Sequence, residues 1–143
     1  MFASLEKYRP QMLSVLRIFV ALLYLQAGLS KYFGWPGAQP KDFTMVSLIG
    51  AAGAIELVGS LLLLVGLWTR EAAFIMSGEM AVAFLIVQHR FTRSFFPAVN
   101  GGQLEAVYCF FFFTFFLVGG GAWTLDRLWR RRQDSAIAPE TTS

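Results

Sequence analysis

The chain has 143 residues, the size of a single domain, and 56% of them are hydrophobic, while its formal net charge is +3. Because the hydrophobic residues are concentrated in long runs, this composition excludes an ordinary soluble domain and predicts a membrane protein. The single cysteine, Cys109, excludes an intramolecular disulfide, and the lack of Cys/His spacing typical of a metal site predicts no bound metal.

The first apolar run, residues 12–33, follows a polar segment, residues 1–11, and is long enough to span a bilayer. Four of its residues share one narrow helical face: Arg17, Tyr24, Gly28 and Lys31. We expect the Lys31 side chain to extend to the nearer membrane interface, and Arg17 to turn towards other helices. Two prolines and two glycines predict a loop over residues 34–41.

The second run, residues 46–68, carries Glu56 near its middle. A carboxyl at that depth costs about 2.5 kcal/mol or more unless it is paired, protonated or directed inward. Small residues, which allow a neighbouring helix to approach closely, lie on the same side at helical spacing: Ala52, Gly53, Gly59 and Ser60. The sequence therefore predicts that this face packs against other helices rather than lipid.

A short connection at residues 69–71 makes the second and third runs antiparallel neighbours. The third run, residues 72–88, is barely long enough to span and contains Glu79. The fourth run, residues 103–123, is rich in phenylalanine, which we interpret as a lipid-facing and bundle-filling surface rather than a cofactor site.

Residues 127–143 are expected to be a basic segment followed by a disordered tail over residues 134–143. A basic run can bind nucleic acid, but directly after a membrane segment it indicates orientation, so no nucleic-acid partner is expected. Four spans place both termini on one side, and eight cationic residues there against four on the other predict that this side is the cytoplasm. The predicted fold is thus all-α, an integral membrane four-helix bundle over residues 12–126.

Two groups of polar residues are candidate sites. At 1.5 Å per residue, Arg17 and Glu79 lie at similar depths and Glu56 lies deeper, so we predict that these three form a buried polar cluster. One cation would leave one carboxylate unpaired and favour its neutral form. The sequence favours a clamp between helices as the role of this cluster, and a proton relay or a hydrogen bond to a quinone, for which a neutral carboxyl is suited, is the alternative.

The second group lies at the outer ends of the predicted helices and consists of Lys31, His89, Asn100, Gln103 and Glu105. His89 is placed to carry protons there, because imidazole titrates near neutral pH. With no second histidine in the chain, a metal site is not expected.

Four pieces of the chain resemble the DoxX family: LRIFVALLYLQAGLSKYFG at 16–34, GAIELVGSLLLLVGLWTREAA at 53–73, MAVAFLIVQHR at 80–90, and NGGQLEAVYCFFFF at 100–113 followed by GGGAWTLD. The resemblance implies a four-helix bundle in the cytoplasmic membrane of a prokaryote. It also implies an accessory role in membrane redox systems, since the family takes its name from a subunit of a thiosulfate:quinone oxidoreductase.

We therefore expect a multi-pass protein of the cytoplasmic, or inner, membrane that serves as a membrane subunit or accessory factor of a quinone-linked or stress-related redox complex. No complete catalytic motif is visible, so the isolated chain is not expected to be catalytic. Candidate partners are the lipid bilayer, oxidoreductase subunits and further copies of the chain, and quinone is the candidate ligand. The alternatives are a small proton or solute transporter that uses Glu56 and Glu79, and a structural or assembly protein.

Overall fold

Every secondary-structure element in the described part of the chain is helical. The computed structural model describes residues 3–41, 44–88 and 95–137. In chain order the elements are α1 (Ala3–Glu6), α2 (Arg9–Phe33), α3 (Leu48–Val65), α4 (Thr69–Val82), a π-helical segment (Ala83–Gln88), α5 (Pro97–Asn100), α6 (Gln103–Val118) and α7 (Leu125–Ile137). The predicted all-α class is confirmed.

Two of these helices are long and apolar enough to cross a membrane: α2 with 25 residues and α3 with 18 residues. Helix α6 is a shorter apolar helix of 16 residues. Helix α4 continues directly into the π-helical segment, so the chain stays helical from Thr69 to Gln88.

The helix ends differ by a few residues from the predicted runs, for identifiable reasons. Helix α2 begins at Arg9 rather than residue 12, because Pro10 is compatible with a first helical turn. Helix α3 ends at Val65 rather than residue 68, because Gly66 adopts the left-handed conformation and its N–H bonds back to Leu62. Helix α6 ends at Val118, immediately before three consecutive glycines.

Helix α3 lies between two neighbours and turns its small residues towards both. It packs antiparallel to α2, since Gly28 faces Leu57 while Lys31, later in α2, faces Gly53, earlier in α3. On its other side, a Cβ added to Gly59 would lie 2.6 Å from the sulfur of Met76 in α4. The prediction that the Glu56 face of α3 packs against other helices is confirmed.

The core lies where α2, α3, α4 and α6 meet. Its buried apolar residues are Val20, Ala21, Tyr24, Leu63, Ala72, Ala73, Met76, Met80, Phe112 and Phe115. The Phe-rich part of α6 has two sides: Phe112 and Phe115 are fully buried, whereas Phe110 and Phe113 point outwards. The bundle-filling half of the predicted role is thus confirmed.

The predicted disordered tail begins too early. Residues 125–137 form α7, and its first turn is attached to the rest of the protein because the Asp126 N–H donates to the carbonyl of Gly66, with the two heavy atoms 3.0 Å apart. The segment contains no glycine or proline, and its arginines and leucines favour a helix. Residues 138–143 lie outside the described part of the chain.

Candidate functional site

Arg17 is fully buried, but it does not approach either of the carboxylates predicted to be its partners. Its guanidinium donates to backbone carbonyls: Nε to Gly120 at 3.0 Å, and terminal nitrogens to Trp123 at 2.6 Å, to Leu64 at 3.1 Å and to Leu63. Two of these carbonyls belong to the last turn of α3, where helical carbonyls lack intrahelical partners. Arg17 therefore joins the end of α3 to the turn that follows α6.

The predicted convergence of Arg17 with Glu56 and Glu79 is wrong. Tyr24, whose hydroxyl contacts Glu79, lies seven residues beyond Arg17 in α2, which is about 10 Å along the helix axis. At the level of Arg17, the backbone carbonyls at the end of α3 supply the acceptors that the guanidinium needs.

The partner of Glu56 is Lys31. The Lys31 ammonium nitrogen lies 2.5 Å from Glu56 Oε1, and the two side chains are 26% and 3% exposed. Lys31 was expected to extend to the interface, but the antiparallel packing of α2 on α3 brings it over Gly53, one helical turn before Glu56. The expected outward position of Lys31 is therefore wrong, and the buried carboxylate is paired across the α2–α3 contact.

Glu79 is held by a tyrosine rather than by a cation. The Tyr24 hydroxyl donates to Glu79 Oε2 at 3.2 Å. The other oxygen of Glu79, Oε1, and the Oε2 atom of Glu56 are buried without a hydrogen-bond partner among the described residues. Because buried polar atoms are normally satisfied, these two oxygens are available to bind a ligand, water or a proton.

Both carboxylates line one cleft of about 690 Å³ between α2, α3, α4 and α6. Most of the walls are apolar, and the polar lining comes from Tyr24, Lys31, Glu56, Glu79, Glu105 and Tyr108. This volume lies within the range of about 300–1,000 Å³ that is usual for small-molecule sites, which typically combine apolar walls with a few polar groups.

An aromatic cluster supports one wall of the cleft. The ring centroids of Tyr24 and Tyr108 lie 5.2 Å apart, and Tyr108 stacks on Phe112 at 5.8 Å with an interplanar angle of 15°. Phe112 also contacts Tyr24 edge-on at 4.8 Å. These contacts hold the Tyr24 ring in place, so that its hydroxyl is directed at Glu79.

The residues predicted to form the outer polar group do not all lie at one site. Lys31 and Glu105 line the cleft. Asn100 is buried and its side-chain oxygen accepts from the Gly102 N–H at 2.7 Å, which stabilises the turn before α6. Gln103 is exposed and is not part of the cleft lining, and His89 lies outside the described residues.

Sequence reasoning assigned no role to Tyr24 or Tyr108. Tyr24 was placed on the same helical face as Lys31, and their spacing of seven residues is two helical turns. The signal in the sequence that could have identified Tyr24 as a site residue was its position two helical turns from Lys31 on the same face of α2. Within the described ranges, no group of three His, Cys, Asp or Glu side chains could hold a metal ion.

The structure is thus an all-helical protein with two helices long and apolar enough to cross a membrane and a mainly apolar cleft that holds two carboxylates. A model of the DoxX family matches residues 12–89, more than half of the chain, and the chain belongs to this family. The match covers the helices that carry Tyr24, Lys31, Glu56 and Glu79.

An uncharacterized protein of Haemophilus influenzae is 42% identical over 126 residues, which cover 86% of this chain and 94% of the relative. No solved structure matches the chain.

Proposed function

We propose that this DoxX protein crosses the cytoplasmic membrane four times and binds a quinone in its cleft, as an accessory subunit of a redox complex. The observation that carries the proposal is the cleft itself: mainly apolar walls, with the Lys31–Glu56 pair and the Tyr24–Glu79 hydrogen bond at its polar side. The third and fourth spans would be the continuous helical stretch from Thr69 to Gln88 and helix α6.

The side chains present suit a quinone. A quinone has an apolar ring and tail and two carbonyl oxygens that accept hydrogen bonds, and when bound it supplies two-electron, two-proton redox chemistry. The Lys31 ammonium lines the cleft and has N–H donors beyond the one given to Glu56. The Tyr108 ring, also in the lining, offers a flat surface for a ring. The unpartnered oxygens of Glu56 and Glu79 can hold or release protons beside such a ligand.

Calorimetric titration of the purified protein in detergent with a short-tail ubiquinone analogue tests this binding. Replacing Lys31 by Met and Glu56 by Gln together removes both charges with little change in volume. We expect affinity to fall at least about tenfold, because hydrogen bonds to charged groups contribute about 1.5–3 kcal/mol.

The matched control is Gln26→Ala, on the exposed face of the same helix α2, which should bind the analogue as the parent does. An alkylbenzene with the same tail but no carbonyl groups should bind more weakly than the quinone. Equal binding of the two compounds, or unchanged quinone affinity in the double variant, would show that the cleft does not recognise a quinone.

The accessory role is supported by family membership and by the absence of a complete catalytic motif in the sequence. The pure protein should show little activity, whereas membranes that lack it should show altered quinone-linked turnover. If those rates are unchanged and no oxidoreductase copurifies from gently solubilised membranes, the accessory role is ruled out.

A second candidate function is proton transfer, which is supported by the two carboxylates that share one cleft with a single lysine and each carry an unpartnered oxygen. In this case Glu79→Gln should abolish proton flux in vesicles while the protein still folds. Absence of flux in vesicles that contain the parent protein would eliminate this candidate.

A further inference from the structure

A second cleft, of about 570 Å³, lies at the opposite end of the bundle from the first cleft, which contains Glu56 and Glu79. It is bounded by the turn between α3 and α4, by the glycine turn after α6 and by the first two turns of α7. Its lining is far more polar than that of the first cleft, and neither Glu56 nor Glu79 contributes to it.

Asp126 gives this cleft a defined geometry. Its two carboxylate oxygens accept from the backbone N–H groups of Trp68 at 2.8 Å and Thr69 at 3.0 Å, and its own N–H donates to Gly66. These bonds attach the start of α7 to the start of α4 and so bring the first turns of the two helices to the same cleft.

Three arginines line the cleft: Arg70 from α4, and Arg127 and Arg130 from α7. The carboxylates in the lining are Glu71 and Asp126, and the latter is occupied by backbone amides. Among the side chains that the structure describes, which end at Gln133, the ion pair is Lys31–Glu56, and none of the three guanidinium groups has a carboxylate partner there. Guanidinium groups bind phosphate oxygens in a bidentate manner, which makes a phosphate group the complementary ligand.

The amphipathic character of α7 suits a position at the lipid head groups. Leu125, Leu128 and Trp129 lie on one helical face and are exposed, and Trp129 and Trp68 also line the cleft. Tryptophan is enriched at membrane interfaces, and a helix with apolar residues on one face and arginines on the other lies in the interface plane. The cytoplasmic leaflet is rich in anionic lipids, which matches the positive charge of this end.

We propose that the cleft lined by Arg70, Arg127 and Arg130 binds the phosphate head group of an anionic phospholipid of the cytoplasmic leaflet. This site is separate from the first cleft, and the inference does not depend on what the first cleft binds. It assigns α7 the role of closing a lipid site, beyond setting the orientation of the chain.

Native mass spectrometry of the full chain in neutral detergent tests the proposal by titration with phosphatidylglycerol, with phosphatidylcholine of the same chain length, and with inorganic phosphate. Phosphatidylglycerol should bind at least tenfold more tightly than the other two. Replacing Arg127 and Arg130 by Gln should weaken its binding at least tenfold. The matched control replaces Arg131 and Arg132 by Gln, which removes the same charge from the same helix outside the cleft, and should change binding less than twofold.

If both double variants lose the same affinity for phosphatidylglycerol, the lipid is attracted by the overall charge of α7 and not by the cleft, and the proposal is wrong. Inorganic phosphate that binds as tightly as the lipid would mean a free-anion site and would also overturn the proposal. If the Arg127/Arg130 double variant elutes differently from the parent in size-exclusion chromatography, the single substitution of the exposed Arg70 by Gln replaces it. That variant should also bind phosphatidylglycerol at least tenfold more weakly than the parent.

Discussion

Arg17 and Lys31 are the two cations that helix α2 directs into the protein, and they meet different kinds of acceptor. Arg17 is held by neutral backbone carbonyls, whereas Lys31 is paired with the Glu56 carboxylate. Removing either cation leaves buried acceptors without donors, but only the loss of Lys31 leaves a buried charge unpaired. The two sites should therefore respond differently to mutation and to pH.

Arg17→Met is expected to lower stability by at least about 3 kcal/mol, because several buried carbonyls lose their donor at about 1–3 kcal/mol each. The effect should add to that of Glu56→Gln, since the two side chains share no partner. Thermal melting in detergent measures both variants and their combination, with the exposed Arg9→Met as control on the same helix. Strong coupling between Arg17 and Glu56 would contradict the separation of these residues.

Lys31→Met is expected to destabilise the protein by about 3–5 kcal/mol near neutral pH, since it leaves the buried Glu56 carboxylate without its cation. Adding Glu56→Gln should restore most of the lost stability, because the unpaired charge disappears. The loss in Lys31→Met alone should also shrink when the pH is low enough to protonate Glu56. Melting curves of the single and double variants across pH test this, and a double variant as unstable as the single one would exclude an ion-pair effect.

At the scale of elements, the structure depends on a close contact at a glycine beside the start of α2. Gly121 adopts a φ of +89°, and a Cβ there would lie 2.5 Å from the carbonyl oxygen of Pro10 and 2.5 Å from the Ser14 hydroxyl. The Ser14 hydroxyl also accepts from the Trp123 N–H at 3.0 Å. The start of α2 and the turn after α6 are therefore packed backbone to backbone, with no room for a side chain.

Gly121→Ala should consequently destabilise the protein by more than about 2 kcal/mol, because it combines a left-handed backbone with contact against fixed backbone atoms. Gly78→Ala is the matched comparison: it lies within α4, with nothing within 4 Å of the added Cβ, and should stabilise by up to about 1 kcal/mol. The two variants should shift the melting temperature in opposite directions, and a neutral Gly121→Ala would mean that this turn is not tightly packed.

At the scale of the whole molecule, the two clefts lie at opposite ends of the helices and differ in character. One is mainly apolar with an ion pair, and the other is polar with three arginines. The predicted topology, with the excess of cations on the cytoplasmic side, would place the first cleft towards the outer half of the bilayer and the second at the inner head groups.

Reporter fusions test this arrangement. A fusion after Arg132 or at Arg70 should report the cytoplasm, and a fusion at Gln39, in the segment between α2 and α3, should report the outside. A cytoplasmic signal from the Gln39 fusion would overturn the four-span topology and, with it, the assignment of the arginine-lined cleft to the cytoplasmic leaflet.

The sequence by itself determined the class of fold, the helical runs and the inward orientation of the Glu56 face of α3. Hydrophobic length and helical periodicity are local properties, so the face of Glu56 with its small residues, and the shared face of Arg17, Tyr24 and Lys31, could be deduced without knowledge of their neighbours.

Only the tertiary structure decided which inward residues meet. From the sequence, only the depth of each residue along its helix could be compared, and depth matched Arg17 with Glu79. In the structure, the rotation and register of α3 against α2 pair Glu56 with Lys31 instead. The acceptors of Arg17 are backbone carbonyls, which every residue carries and no sequence pattern marks. The position of α7 likewise depends on Asp126 reaching amides some 57 residues away in the chain, a contact that exists only once the helices have packed.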